Sequence, residues 1–254
     1  MAISAHADIQ ADARKIQETH QDAVVYLKAV LEIDRGGQKR ESSLETLGTF
    51  ISDSGLIVTA NSNLGQTPNS EGNAPTLQDL KVLMPDGAEL PGTLVMQDTD
   101  LDLAFIKVSR EGDAGSFPNV TLQEQGPKFE LFDQYVTLGR QEEDLQRQSS
   151  LSIGRVSAVV KRPRLLYGAS QGSYGAPAFN AAGELVGIFV RKIHKGRNGS
   201  LIILPTKSIH KVAQQIPGPE EEKTGDQEED AADDEVSDEP AKEDPEAPKV
   251  ESQS

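Results

Sequence analysis

Short runs of β-branched and apolar residues recur along this chain, each about one strand long and each closed by a turn signal. That rhythm leaves few folds open. A first set starts at Ala23 with AVVYLKAVLEI. The polar segment from Asp34 to Glu41, with Gly36 and Gly37, reads as a loop inside it. TLGTFIS and LIVTA then flank Asp53-Ser54-Gly55, a hairpin signal with glycine at the turn. LKVLM and AELPGTLVMQ flank Pro85-Asp86-Gly87, where proline presets φ and glycine supplies the positive φ of a tight turn. LAFIKV closes the set. A polar loop (110–128) leads to a second set: LFDQYVTLG, SLSIGRVSAVV, APAFN, ELVGIFVRKI and SLIILP. Its turns fall at Ala181-Ala182-Gly183 and Lys195-Gly196-Arg197-Asn198-Gly199. Two sets of similar size predict an all-β chain of two small barrels packed together. Residues 8–22 lack Gly and Pro and predict a short helix or extension. In KSIHKVAQQI, Ile209, Val212, Ala213 and Ile216 recur at helical intervals, so residues 207–216 read as a terminal amphipathic helix.

Composition narrows the chemistry. The chain has 254 residues and no cysteine, so disulfides, thiolate metal sites and cysteine nucleophiles are excluded. No apolar run approaches the ~20 residues of a membrane-spanning helix. The net charge is −16, but −13 of it lies from Pro217 onward, where sixteen acidic residues face three lysines. That segment has almost nothing apolar to bury against its chain entropy, and it reads as a disordered acidic tail, 217–254. The remainder is nearly neutral, so overall acidity says nothing of its ligands. Lys161-Arg162-Pro163-Arg164 has only Tyr167 near it as a stacking residue, so it reads as a solvated loop and no nucleic-acid partner is expected. MAISAHADIQ lacks the basic and apolar regions of a signal peptide, yet Ala5-His6-Ala7 has the small-residue pattern of a signal-peptidase site.

Three stretches carry more specific information: LGTFISDSGLIVTANSNL (47–64), DTDLDLAFIKV (98–108) and GSYGAPAFNAAGELVGI (172–188). In order and spacing they resemble the catalytic blocks of trypsin-like serine peptidases of the HtrA type, over roughly residues 22–216. The resemblance implies an all-β fold of two packed, six-stranded-type barrels, with short helices before and after. The boundaries it suggests are an N-terminal extension (1–21), a first barrel (22–110), a second barrel with terminal helix (111–216) and the acidic tail (217–254). In the family the first block carries a general-base histidine, the second an aspartate and the third a nucleophilic serine. Matched residue by residue, those places hold Ser62, Asp102 and Tyr174, and Gly172-Ser173-Tyr174 forms the oxyanion loop. The tail stands where a peptide-binding PDZ module follows in HtrA-type peptidases.

Acyl transfer at such a site needs a nucleophile, a base within hydrogen-bond reach and a carboxylate to orient the base. Ser62 has no basic lone pair at neutral pH, and the phenol of Tyr174 has no partner to take its proton. The other histidines, His6, His20 and His210, fall in the N-terminal extension and the terminal helix. His194, at a strand end beside the cleft, reads as a turn histidine rather than a replacement base. Ser173 is one residue out of phase with the cleft and reads as a turn serine. Asp102, buried without a histidine, would need partners from the Ser62 hydroxyl and backbone N–H groups. The reading is a non-catalytic binding or regulatory protein on a peptidase fold, without cofactor or metal, engaging a protein or peptide. Two alternatives stay open: an active endopeptidase with another constellation, and an interaction module working through its tail. HtrA-type peptidases are usually exported in bacteria, so the resemblance leans toward an envelope or secreted location.

Overall fold

In a computed structural model, residues 9–35, 37–65, 74–109, 115–194 and 197–217 are described. The chain divides into two units, Met1–Ile216 and Pro217–Ser254, and the fold below is that of the first. It opens with helix α1 (Ile9–His20) and a single 3-10 turn. The strands β1 (Val24–Arg35), β2 (Gln38–Phe50), β3 (Leu56–Ala60), β4 (Thr76–Leu83), β5 (Glu89–Asp98) and β6 (Leu103–Val108) follow. They close a barrel in the order β1-β2-β3-β6-β5-β4. The strands β7 (Gln134–Arg140), β8 (Ser149–Val160), β9 (Leu166–Ala169), β10 (Pro177–Phe179), β11 (Leu185–His194) and β12 (Arg197–Pro205) close a second barrel, in the order β10-β11-β12-β9-β8-β7. Helix α2 (Thr206–Ala213) ends it, with Ile209 and Val212 buried. The all-β double barrel with a short helix at each end is what the sequence pattern predicts.

Alternation drives the closure. Inward positions such as Leu27, Phe50, Ile57, Val82 and Ile106 fill the first barrel, each at 1% exposure or less. The second is filled by aromatic rings: Phe129 lies edge-on to Tyr167 at 5.5 Å, and Tyr135 edge-on to Phe189 at 5.6 Å. Fully burying a side chain of this size contributes about 1.5–3 kcal/mol.

Three local expectations are corrected. The segment from Asp34 to Glu41 is not a loop. It is the outer end of the β1–β2 hairpin, paired without interruption from Val24↔Thr49 to Arg35↔Gln38. Residues 38–43 of β2 are all exposed, so no buried face imposed the alternation that marks a strand. Of the turn placed at Lys195–Gly199, residues 197–199 belong to β12, which begins at Arg197 opposite His194, and Lys195 and Gly196 lie outside the described residues. LFDQYVTLG does not begin as a strand either. Leu131 and Phe132 stand 55% and 67% exposed in a turn, Phe132 at φ +70°, and β7 starts only at Gln134.

Helix α1 is clasped to the second barrel. Ala13 and Ile16 are buried, the Gln17 amide donates to the Ser149 hydroxyl at 3.1 Å, and the His20 ring stacks on Phe179 at 5.0 Å. Burial holds the His20 pKa below its ordinary value, against a backbone hydrogen bond at Gly183 that raises it. A histidine with a depressed folded pKa contributes stability above its unfolded pKa and loses it as pH falls through the folded one. Acidification from neutrality to about pH 5 is therefore expected to loosen α1. The expected readout is a fall in denaturant midpoint that is smaller in His20→Phe. Equal falls in both proteins would remove His20 from the cause.

Candidate functional site

Strand β3 is buried almost throughout and runs straight into a 3-10 turn, Asn61–Leu64, that Gly65 closes at φ +65°. This turn carries Ser62 to the boundary between the barrels. Across from it, the Asp98 carboxylate accepts from the Leu101 N–H at 2.8 Å, and Asp102 takes up φ +57° before β6 begins. The Asp102 carbonyl accepts from the Asn61 N–H at 3.0 Å, tying the two turns together.

Asp102 is 5% exposed and its carboxylate is fully engaged. Oδ1 accepts from the Ser62 N–H at 2.6 Å. Oδ2 accepts from the Ser62 hydroxyl at 3.0 Å and from the Arg191 N–H of β11, in the other barrel, at 2.6 Å. Burial pushes the Asp102 pKa above its ordinary value, and the hydrogen bonds from Arg191 and Ser62 pull against it. A buried carboxylate with three donors is satisfied as it stands.

The loop of residues 171–176 is held from both ends. Tyr135, wholly buried, donates its hydroxyl to the Gln171 carbonyl at 2.6 Å and accepts from the Gln171 N–H at 3.1 Å. Gly172 sits at φ +144° against the Phe189 ring, where an added Cβ would come within 2.5 Å. The Ser173 carbonyl accepts from Ala176, the Gly175 N–H donates to Phe189, and the Tyr174 carbonyl accepts from the Asn63 amide at 3.2 Å. Because a trans peptide sets its N–H opposite its C=O, the Gly172 N–H points away from Tyr135 and its barrel core. Among the described residues it donates to nothing.

Tyr174 is half-buried, and the Arg191 guanidinium lies 4.9 Å from its ring centroid. Ser173 is exposed. A cavity of about 380 Å³ opens here, lined by Leu47, Thr46 and Asn63 on one side and Gly172, Ser173 and Tyr174 on the other. A second hollow of about 410 Å³, beside Met84, Arg140 and Arg147, includes none of the loop residues. Ser62 and Asp102 are thus in direct contact, and Asn63, the neighbour of Ser62, bonds to the backbone of Tyr174. His20 lies in α1 against Phe179, and His210 in α2. His6 and the side chain of His194 fall outside the described parts. Among the described residues, no group of three or more His, Asp or Glu comes together to hold a metal ion. Asn63 and Arg191 were not singled out in the sequence. Asn63 neighbours Ser62, and Arg191 is one of several cations in RKIHKGR, so nothing local marks either.

Two β-barrels that meet at this cleft, with the loop of residues 171–176 on one side and Asp102 on the other, define a peptidase architecture. The sequence profile of the trypsin-like peptidase domain matches residues 46–188, and the chain belongs to that family. It is similar to a probable periplasmic serine endoprotease, DegP-like, of Rhizobium meliloti (strain 1021), at 31% identity over 168 residues. That match covers 61% of this chain and 30% of the relative's length, and it supports the HtrA-type likeness. No helix among the described residues is long and apolar enough to cross a membrane.

Proposed function

We propose that this protein keeps the peptidase fold without peptidase chemistry and acts as a binding or regulatory pseudopeptidase. The observation that carries this reading is the satisfied state of Asp102. A catalytic carboxylate of this kind orients an imidazole. Here its oxygens are taken by the backbone and hydroxyl of Ser62 and by the Arg191 N–H, and among the described residues no base bonds to it. Tyr174, under the Arg191 guanidinium, occupies part of the space an acyl group would need. The free Gly172 N–H and the open cavity still suit an extended peptide laid along the cleft. Hydrolysis by the relative is a property of a protein more than three times longer than the match, and it is not carried over.

Treatment of the purified full chain with a fluorophosphonate probe tests the reading. No serine is expected to label, at Ser62, Ser173 or elsewhere. Labelling that a single serine substitution abolishes would overturn it.

A further inference from the structure

The outer half of β2 is an open sheet edge. On one side it pairs with β1 along its whole length. On the other it meets β3 only at Thr49 and Phe50. Residues 38–43 and Glu45 are exposed, and among the described residues no other strand pairs with this edge. An exposed edge of this length is a template for strand addition.

The hairpin geometry says which amides are free. Arg35 pairs with Gln38 across a separation of only two positions, which makes the two a hydrogen-bonded pair. Bonding then alternates. Gln38, Arg40, Ser42 and Leu44 bond inward to β1, while Lys39, Glu41, Ser43, Glu45 and Leu47 turn N–H and C=O outward. The base of the strand agrees, since the Leu47 carbonyl faces outward and accepts from the Thr59 hydroxyl at 2.6 Å.

We propose that a second copy of this chain pairs here, β2 to β2, antiparallel about a two-fold axis through Ser42. Two constraints select that register. Outward residues must face outward residues, so only every second register is allowed. Among these, the one centred on Ser42 places Lys39 opposite Glu45 of the other copy and Glu41 opposite Ser43. Directly opposed residues lie on the same sheet face, where opposite charges attract and like charges repel. Slipping by one allowed step toward the hairpin tip puts Glu41 against Glu41. Slipping the other way puts Glu41 against Glu45, twice. The same charges that discourage other strands therefore favour this arrangement over the two registers beside it. The existing contacts of Lys39 with Glu32 (2.8 Å) and of Glu45 with Arg147 (3.0 Å) are surface pairs that leave the backbone edge untouched. An isologous two-fold contact consumes both open edges and closes, so it yields a dimer and not a fibre.

Sedimentation of the full chain over a concentration series is expected to show a monomer–dimer equilibrium. Lys39→Glu and Glu45→Lys singly should each raise the dissociation constant about tenfold, since symmetry counts the pair twice. The double variant should recover the dimer. Ser43→Pro removes an outward N–H and no bond to β1, and should give a monomer with unchanged far-ultraviolet circular dichroism. A synthetic peptide of residues 38–46 should dissociate the dimer, and a scrambled one should not. A monomer at every concentration, a dimer indifferent to Ser43→Pro in folded protein, or charge reversals that do not rescue one another would each overturn the proposal. Equal competition by the scrambled peptide would also overturn it, by showing an edge that takes any strand.

Discussion

The double variant Ser62→His with Tyr174→Ser is expected to gain covalent labelling by a fluorophosphonate at position 174 and measurable ester hydrolysis. The reason is the state of Asp102. Its carboxylate already sits within 3.0 Å of the Ser62 side chain and is held by backbone donors from both sides. An imidazole at position 62 takes over the place of the hydroxyl and inherits the orientation a general base needs. The loop that presents position 174 is pinned by Tyr135 and Asn63, neither of which changes. Removing the phenol also frees the cleft from the ring beneath Arg191. In triads of this kind, losing the serine or the histidine costs about 10⁶ in turnover, and the members act as a unit. The expected gain in the double variant is therefore about 10³-fold or more, with both single variants flat. A folded double variant with no labelling would mean that the cleft lacks more than these two side chains. The assignment of the three positions would then have to be abandoned.

The second large effect concerns cohesion between the barrels. Gly175→Ala is expected to destabilise the chain by about 3 kcal/mol or more. Gly175 lies at φ +84°, where a Cβ is disfavoured, and that Cβ would stand 2.1 Å from the Leu47 carbonyl and 2.8 Å from the Thr59 hydroxyl. Both belong to the first barrel and are backbone or tightly bonded, so neither can yield. The Thr49 hydroxyl, which donates to the Gly175 carbonyl at 2.8 Å, would be displaced in the same movement. Gly87→Ala is the control. Its φ is +87°, yet nothing lies within 4 Å of the added carbon, so only the backbone term applies. Denaturant unfolding should separate the two variants clearly. Equal midpoints would show that the barrels do not depend on this contact.

Much of this architecture was legible in the residues. Glycine turns at Gly55 and Gly87, and apolar runs of strand length, were enough for two barrels because those strands each have a buried face. Legibility failed where no face is buried. The hairpin from Asp34 to Glu41 carries charge on both sides and so reads as a loop, while Leu131 and Phe132 look like strand residues but stand in solvent. The site divided in the same way. Ser62, Asp102 and Tyr174 could be picked out because blocks of sequence surround them. Arg191 could not, for its part is played by a backbone N–H, which every residue but proline has, and by a guanidinium stacked on a ring 17 positions away. Contacts of that sort depend on how the barrels meet, which no local pattern encodes.

The bonds that shape the loop of residues 171–176 come from a core phenol, an asparagine amide and peptide groups, and none depends on the side chain at position 174. Presentation and reactivity are thus separately inherited properties of this fold. A substitution at that position therefore changes the chemistry the loop can offer while leaving the loop's shape in place.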